Sequence, residues 1–300
     1  MTDDAQARAA VDELLRILDL DSTGARTTED ISTGRSHPMP HGRVYGGQVL
    51  AQSIVAAERT LPEGRVTHSM HGYFLRPGDT GLGVTFAVDR IHDGRSFSTR
   101  RAQAYQNGEP IFSMIASSQS PDEGLEHAEP MPEGIPGPDE VPSDDETMRT
   151  AHPFSRRILT ASPVELRHVE GPLIAARVDG AHPSQAVWMR MRAPMPDDPA
   201  LHRAALAYLS DMTIQESILR AHGATWETPG LKLASLDHGM WWHRPARVDE
   251  WLLYSQASPT ARGGRGLATG RLYTQDGTLV ASVSQEVMIR IPGAGVTAQS

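Results

Sequence analysis

The feature that most constrains the fold of this chain is an internal repeat. Residues 66–77 (VTHSMHGYFLRP) are echoed at residues 231–245 (LKLASLDHGMWWHRP), and both segments run through histidine and aromatic residues into Arg-Pro. A helix-like stretch precedes each segment, and alternating strand-like stretches follow it. Self-similarity that keeps its order along a chain is typical of a duplicated structural unit, so the sequence predicts two copies of one unit.

Three stretches have the apolar spacing of helices. Residues 5–20 carry apolar side chains every three or four positions, which predicts a short amphipathic helix. The stretch that begins at Gly46-Gly47 is apolar on nearly every side, which is typical of a buried helix. Residues 201–222 repeat that pattern before Gly223, so we expect a second buried helix there.

Each predicted buried helix is followed by a region with a period of two residues. Residues 66–119 alternate apolar and polar side chains, as Val84, Phe86 and Val88 illustrate, and residues 231–291 do the same. Hairpin-forming dipeptides interrupt these runs at Asp93-Gly94, Asn107-Gly108 and Asp276-Gly277. The sequence therefore predicts an α+β protein in which a buried helix and an antiparallel meander occur twice.

These patterns divide the chain into four parts. Residues 1–120 form the first unit, and residues 149–291 form the second unit, which we expect to carry the active site. Residues 121–148 contain ten acidic residues, six prolines and no lysine or arginine, so we expect an exposed linker. Residues 292–300 are interpreted as a tail.

Composition and charge exclude several classes of function. The formal net charge of −9 argues against nucleic acid or an anionic membrane surface as the main partner. The absence of cysteine excludes a disulfide framework, a cysteine nucleophile and a thiolate metal site. No apolar run is long enough to span a membrane, and the acidic start of the chain is unlike a signal peptide. We therefore expect a cytoplasmic protein.

Three polar residues of the second copy occupy positions that should be apolar. Asp211 falls within the second predicted helix, while Ser235 and Gln285 share strand parity with core-facing residues. A helix and two strands that face it could bring a carboxylate, a hydroxyl and an amide to one point. The alternative is structural: Asp211 could cap the helix, Ser235 could bond to nearby backbone, and Gln285 could brace a turn.

Four histidines cluster near the two Arg-Pro motifs, at His68, His71, His238 and His243. Their spacing matches no metal-binding motif, so no metal site is expected. His68 or His71 could act as a base, although a hydrogen-bonded histidine in the core or at an interface is the more ordinary interpretation.

The Gly-rich segment at residues 261–266 contains Arg262 and Arg265. It lacks the ending and the strand-to-helix context of a phosphate-binding P-loop. Either arginine could still hold a ligand phosphate through charge-assisted hydrogen bonds, and a solvated hairpin loop is the alternative.

Long segments of the chain resemble the acyl-CoA thioesterase II family, whose members are medium-chain acyl-CoA thioesterases with a double hotdog fold. The matching segments are RVYGGQVLAQS, HSMHGYFLRPGD, DGRSFSTRRAQAYQNGEPIF, PDDPALHRAALAYLSD, SLDHGMWWHRP, DEWLLYSQASPTARGGRGL and GRLYTQDGTLVASVSQE. The resemblance implies two tandem hotdog units, each with a long central helix wrapped by an antiparallel sheet, and with the two sheets joined into one. The acidic linker and the last ten residues are outside the resemblance.

The resemblance also implies a function, the hydrolysis of fatty acyl-CoA to a free fatty acid and coenzyme A without a cofactor. The family's catalytic Asp, Thr or Ser, and Gln match Asp211, Ser235 and Gln285. In the first copy, Gln48, Thr67 and Gln119 align with them, so that copy lacks the carboxylate. We therefore expect it to shape the substrate channel and not to form a second hydrolytic centre.

The expected mechanism is a direct attack by water. Asp211 would activate the water, and Ser235 and Gln285 would orient it. Backbone N–H groups at a helix N-terminus, either near Gly46-Gly47 or at the second helix, could hold the oxyanion. No Gly-x-Ser-x-Gly motif or histidine base accompanies Ser235, which argues against a covalent intermediate.

Two other functions stay open. A hotdog hydratase acting on enoyl thioesters, and a protein that binds acyl-CoA or fatty acid without turnover, are the alternatives. Because hotdog sheets commonly pair further, we expect a homo-oligomer, a dimer or a tetramer.

Overall fold

The computed structural model describes residues 3–147, 162–173 and 182–292. These residues form one antiparallel sheet of thirteen strands with few helices. The helices are α1 (Asp3–Leu18), α2 (Gly46–Glu58), α3 (Asp144–Thr147), α4 (Pro199–Ser210) and α5 (Glu216–Ala221). In the described parts of the chain, no helix combines the length and apolarity that a membrane crossing needs.

The strands follow the alternating stretches of the sequence. They are β1 (Asp21–Arg26), β2 (Asp30–Gly34), β3 (Val66–Phe74), β4 (Val84–Asp93), β5 (Phe97–Gln106), β6 (Glu109–Gln119), β7 (Val164–His168), β8 (Ser184–Met191), β9 (Lys232–Ser235), β10 (Asp237–Trp242), β11 (Leu252–Arg262), β12 (Arg265–Thr274) and β13 (Leu279–Arg290). Asn107, at the β5–β6 turn, has a positive φ of 51°, as the Asn-Gly signal for a type I′ hairpin requires.

The strand order has an approximate two-fold symmetry. From the centre outward, the first half of the sheet runs β3-β6-β5-β4-β2-β1, and the second half runs β10-β13-β12-β11-β8-β7, while β9 adds to β13. The halves join where β3 pairs with β10, and His71 lies opposite Gly239 at the centre of that pairing. The pairs on either side are symmetric about it, so a two-fold axis at this point exchanges Met70 with His238.

The two long buried helices, α2 and α4, pack against each other in opposite directions. The start of α2 meets the end of α4, where the hydroxyl of Tyr45 donates to the carbonyl oxygen of Tyr208 at 2.8 Å. The end of α2 meets the start of α4, where Arg203 and Glu58 form a largely buried ion pair at 2.6 Å. The end of α4 is thereby fixed against the N-terminus of α2.

The second buried helix was predicted as one element over residues 201–222, and that prediction is wrong. The helix ends at Ser210 and resumes only at Glu216 as α5. Side chains from the sheet bind the intervening segment, because Gln185 donates to the carbonyl oxygen of Thr213 at 3.2 Å and Gln256 donates to the Thr213 hydroxyl at 2.6 Å. Asp211 is therefore the C-cap residue of α4 and not an interior helical residue.

The acidic stretch predicted as an exposed linker is exposed throughout only over residues 121–130. Further along, Val141 and Asp144 are buried, with 4% and 3% of their surface accessible. Val141 packs into an apolar cluster with Trp188 and Trp251, and Asp144 bonds to His168. The sparse apolar residues of this stretch find partners on the second half of the sheet, which composition alone does not reveal. Residues 148–161, 174–181 and 293–300, which include parts of the predicted linker, second unit and tail, lie outside the described residues.

Candidate active site

The structure brings the three out-of-place polar side chains of the second copy into contact. The amide nitrogen Nε2 of Gln285 donates to Oδ1 of Asp211 at 3.0 Å and to Oγ of Ser235 at 2.6 Å. Asp211 follows the last residue of α4, Ser235 ends β9, and Gln285 lies within β13. Asp211 and Gln285 are buried, whereas Ser235 is partly accessible, so the cluster opens to solvent on the serine side.

The first half of the molecule contributes the N-terminus of α2 to the same cluster. A hydrogen bond from the backbone N–H of Gly47 reaches the Asp211 carboxylate. Tyr45, the N-cap residue of α2, makes no side-chain capping bond, so the carboxylate of Asp211 takes that place from the other half. The approach is close, because a Cβ on Gly46 would lie 2.6 Å from Oδ2 of Asp211. The cluster is therefore completed only where the two halves meet.

Burial tunes the carboxylate of Asp211 toward neutral pH. Loss of hydration disfavours the ionised form and raises the pKa of Asp211 to about 7, although the hydrogen bonds from Gln285 and Gly47 oppose that rise. A carboxylate with a pKa near the working pH is suited to accept and return a proton.

A histidine lies behind the glutamine, and sequence reasoning did not assign it a role in the site. Nδ1 of His238 is 2.6 Å from Oε1 of Gln285, and Nε2 is 2.9 Å from Oγ of Ser210. Burial lowers the pKa of His238 to about 4, so the ring is neutral at ordinary pH. The sequence pattern that could have pointed to His238 is its strand parity with the buried Met240, which predicts that His238 also faces the core.

A second buried polar cluster fixes the chain just after Asp211. His168 lies between Asp144 at 2.7 Å and Glu216 at 2.9 Å. Burial opposes a charge on the ring, but the two carboxylates more than offset that effect and raise the pKa of His168 to about 10. An imidazolium between two carboxylates anchors the start of α5. The segment between α4 and α5 is therefore held at its start by the bond from Gln285 to Asp211 and at its end by the bond between His168 and Glu216.

The counterparts expected in the first copy are not assembled in the same way. Gln48 holds backbone instead, because its side chain accepts from the N–H of His37 and donates to the carbonyl oxygen of Arg35. The hydroxyl of Thr67 pairs with that of Ser118 at 3.1 Å. Gln119 is the last residue of β6, opposite Val66.

Two of the sequence alignments between the copies are wrong. Tyr45 precedes α2, whereas Tyr208 lies in the last turn of α4, so Gln48 and Asp211 are at opposite ends of their helices. In β6, Ala116 pairs with Met70, and the exchange of Met70 with His238 makes Ala116 the counterpart of Gln285. Matching short strings placed the residues in the wrong register, because strand pairing and not sequence spacing sets the equivalence.

His68 lies away from the three residues that converge. It packs edge-on against Phe97, with 6.1 Å between ring centroids, and burial lowers its pKa. It lines a cavity of about 360 Å³ with Trp242 and His202, and none of Asp211, Ser235 and Gln285 lines that cavity. The structure therefore gives no support to His68 as a base at the candidate site.

Arg262 and Arg265 flank the β11–β12 hairpin and line a surface groove of about 550 Å³. Arg290 and His222 line the same groove, and Arg265 also pairs with Glu286 at 2.9 Å. The groove lies at the C-terminal end of β13, the strand that carries Gln285. The same strand therefore contributes to this basic groove and to the candidate site.

Comparison with solved structures identifies the class of protein. An acyl-CoA thioesterase II, TesB2, from Mycobacterium marinum is 42% identical, with a TM-score of 0.77, and the match covers 93% of this chain and 99% of that one. A protein from Alicyclobacillus acidocaldarius described as having a hot dog fold is only 19% identical but gives a TM-score of 0.74, with coverages of 93% and 98%. The fold is that of the hotdog proteins.

Sequence comparison then gives the family. Residues 164–288 match the family model described as acyl-CoA thioesterase, and residues 35–119 match its N-terminal domain. Human acyl-coenzyme A thioesterase 8 is 36% identical over 88% of this chain and 85% of its own length. Acyl-CoA thioesterase 2 of Haemophilus influenzae is 33% identical, with coverages of 87% and 92%. The chain belongs to the acyl-CoA thioesterase family and is a thioester hydrolase.

Proposed function

We propose that the protein hydrolyses fatty acyl-CoA to a free fatty acid and coenzyme A at the cluster formed by Asp211, Ser235 and Gln285. One observation carries the proposal: a buried carboxylate with a raised pKa meets a helix N-terminus, an amide and an accessible hydroxyl at the junction of the two halves. These are the groups that water activation and oxyanion stabilisation need.

In the proposed mechanism, Asp211 is the general base. It takes a proton from a water molecule as the water oxygen bonds to the thioester carbonyl carbon. Collapse of the tetrahedral intermediate breaks the C–S bond, and the leaving thiolate recovers the proton, so the carboxylate is regenerated. Its pKa near 7 suits both directions of this transfer.

Ser235 and Gln285 orient the water in this mechanism. The hydroxyl of Ser235 accepts a hydrogen bond from the Gln285 amide, which leaves its own proton free to hold the water. The amide cannot take up a proton, so it does not activate Ser235 as a nucleophile. The reaction therefore proceeds without an acyl-serine intermediate.

The N-terminus of α2 is the proposed oxyanion site. The backbone N–H of Gly47, in the first turn of α2, is directed toward the carboxylate of Asp211. The positive end of the helix dipole favours negative charge that develops beside it. The glycines allow this approach, since a side chain on Gly47 would meet the carbonyl oxygen of Tyr208 at 2.5 Å.

The groove beside β13 is the proposed site for the phosphates of coenzyme A. Lys232, the first residue of β9, lies opposite Arg290 of β13 in the strand register. It is three residues from Ser235 and hence about 10 Å along the strand. Arg262 and Arg265 stand on the neighbouring hairpin. An extended pantetheine arm spans that separation, so the nucleotide can rest among cations while the thioester reaches Asp211.

We also interpret the fold as a double hotdog, with units at residues 1–120 and 149–291. The symmetric strand order and the antiparallel packing of α2 and α4 support that interpretation. The homo-oligomer and the cytoplasmic location expected from the sequence stay predictions.

The test is a thiol-release assay with saturated acyl-CoA substrates of graded chain length. We expect release of coenzyme A from the wild-type protein and loss of that release in Asp211→Asn. Hydration of an enoyl thioester without thiol release would indicate a hydratase, and binding without either reaction would indicate a carrier. A Ser235-linked acyl group detected by mass spectrometry after rapid quenching would contradict the direct attack by water.

A further inference from the structure

We propose that His238 is a positioning residue that fixes the orientation of the Gln285 amide, and that it does so through a single tautomer of its ring. The inference rests on the proposed function, because it assigns His238 a task only if Gln285 orients the attacking water. His238 does not touch the substrate in this scheme. It acts through Gln285.

The hydrogen-bonding partners of Gln285 define what its amide must present on each side. Toward the site, Asp211 and Ser235 are approached by Nε2, and an ionised carboxylate can only accept. On the other side, Oε1 is 2.6 Å from Nδ1 of His238. Two acceptors cannot bond, so Nδ1 must carry a proton that it donates to Oε1.

The proton on Nδ1 also determines the hydrogen-bonding role of the other ring nitrogen, Nε2. A neutral imidazole with a proton on Nδ1 has an acceptor at Nε2, which is 2.9 Å from the hydroxyl of Ser210. Ser210 also lies 2.9 Å from the carbonyl oxygen of Ala207 and has one proton to donate. The Ser210 hydroxyl donates to the carbonyl oxygen of Ala207, which can only accept, and shares that proton with Nε2 of His238 in a three-centre hydrogen bond. Each contact from Ser210 to Asp211 then has one donor and one acceptor.

This chain of bonds makes a rotated amide unfavourable at both ends. With oxygen and nitrogen exchanged, the Gln285 oxygen would face the Asp211 carboxylate, and its NH₂ group would face the N–H of His238. A buried donor or acceptor without a partner is energetically costly. His238 therefore holds the amide in the orientation that donates toward Asp211 and Ser235.

The first half of the molecule shows that the fold itself does not need this pair. The two-fold axis at His71 and Gly239 exchanges His238 with Met70, and Met70 pairs with Ala116 in the place of Gln285. Met70 and Ala116 are each 2% accessible, so the equivalent site is a well-buried apolar contact. A polar pair where the scaffold accepts an apolar one indicates a role in the site.

The decisive experiment uses two substitutions of similar polarity. In His238→Asn, the side-chain amide nitrogen can take the place of Nδ1 and donate to Gln285. In His238→Gln, the amide reaches the place of Nε2 and leaves Gln285 without its donor. We expect His238→Asn to keep kcat within about threefold of wild type. His238→Gln and His238→Met should lower kcat by about 10- to 100-fold, the range for residues that orient a functional ligand, with KM little changed.

A double-mutant cycle tests whether His238 acts through Gln285. In the Gln285→Ala background, His238→Met should change kcat by less than about twofold, because the group it positions is already absent. His243→Met is the matched control, since it removes a histidine–serine contact of the same 2.9 Å length on the exposed face of the sheet. We expect that control to retain wild-type kcat, and thermal melting will verify that each variant is folded.

Three outcomes would overturn the proposal. Equal activity of His238→Asn and His238→Gln would show that the Nδ1 proton is not what matters. Equal losses from His238→Met with and without Gln285 would show that His238 acts independently. Nitrogen-15 NMR that finds the proton of His238 on Nε2 would contradict the tautomer. If Asp211→Asn itself stays active, the proposed function fails first, whereas an inactive Asp211→Asn beside fully active His238 variants rejects only the role of His238.

Discussion

The two halves of the sheet carry different side chains at symmetric positions. This difference distinguishes side chains that the fold needs from side chains proposed to take part in catalysis. In the first half, Met70 and Ala116 face each other in the core beside the central strand pairing. In the second half, the symmetric positions hold His238 and Gln285, which bond to each other and onward to Asp211. One backbone arrangement thus accommodates an apolar contact and a hydrogen-bonded network, so the network is an addition to the fold and not a requirement of it.

The comparison also shows what the first half provides. Its own symmetric positions hold Met70 and Ala116, yet the N-terminus of its helix α2 reaches Asp211 through Gly47. The polar side chains come from one half and the backbone donors come from the other. In the proposed mechanism, each half alone would therefore have an incomplete site.

The largest effect is expected from removal of the Asp211 carboxylate. We expect Asp211→Asn to reduce kcat by about 10²- to 10⁴-fold, the range for a general base. The same variant should unfold at a higher temperature. Folding raises this pKa from 3.8 to about 7, so ionised Asp211 destabilises the fold above pH 7, by up to about 4 kcal/mol.

That stability difference should vanish as the pH falls below 3.8, because the carboxyl is then neutral in both the folded and the unfolded states. Thermal melts of wild type and Asp211→Asn across this pH range will measure it. A variant that melts lower than wild type at pH 8 would contradict the burial of an ionised carboxylate.

The next largest effect is expected when the second half is made to resemble the first at Gln285. Gln285→Ala introduces the residue found at Ala116, and we expect kcat to fall about 10²-fold. The hydrogen bond from Gln285 lowers the pKa of Asp211, so its removal should raise that pKa further. The acid limb of kcat/KM, expected near pH 7 in wild type, should therefore move to higher pH. An unshifted limb would show that Asp211 is not the titrating group.

The contribution of the first half can be tested at the helix N-terminus. Gly47→Ala would place a Cβ 2.5 Å from both the carbonyl oxygen of Tyr208 and the ring of Tyr45. Because the helices must separate to admit it, we expect a destabilisation of about 1–3 kcal/mol and a loss of kcat of at least about tenfold. Gly137→Ala, where no atom lies within 4 Å of the added Cβ, is the control. Equal kcat values for both variants would remove the role of α2.

A smaller effect is expected from the basic groove. Arg262→Gln combined with Arg290→Gln should raise KM for acyl-CoA by about five- to tenfold, because each exposed cation–phosphate contact contributes about 1 kcal/mol or less. KM for an acyl-pantetheine thioester, which lacks the nucleotide phosphates, should not change. Arg271→Gln, an exposed arginine paired with Glu129 outside the groove, serves as the control. A similar rise in KM for both substrates would indicate that the groove binds something other than phosphate.

The smallest effect is expected in the first copy. Gln119 aligns with Gln285 by sequence, but Ala116 takes that position in the paired strands. We expect Gln119→Ala to keep kcat within about twofold of wild type, against the hundredfold loss from the corresponding change at Gln285. A large loss of kcat in Gln119→Ala would indicate that Gln119, and not Ala116, is the counterpart of Gln285.

Much of the fold could be predicted because its signals are local. Apolar spacing located α1 and α2, alternation and Asn-Gly or Asp-Gly turns located the meanders, and the repeat located the two copies. The helix predicted over residues 201–222 failed because Gln185 and Gln256, which come from two strands of the sheet, bind Thr213 within it. A local pattern carries no information about such distant partners.

Sequence patterns were enough to identify which residues of the second copy are chemically out of place. Parity and burial selected Asp211, Ser235 and Gln285, because a polar group on an apolar face is visible without any knowledge of its partners. The groups that complete the cluster depend on how the chain packs. Gly47 reaches it through the packing of two helices, and His238 reaches it through strand register, and both depend on contacts between residues far apart in the chain. Local periodicity determines which way a side chain faces, whereas register and packing determine what it meets.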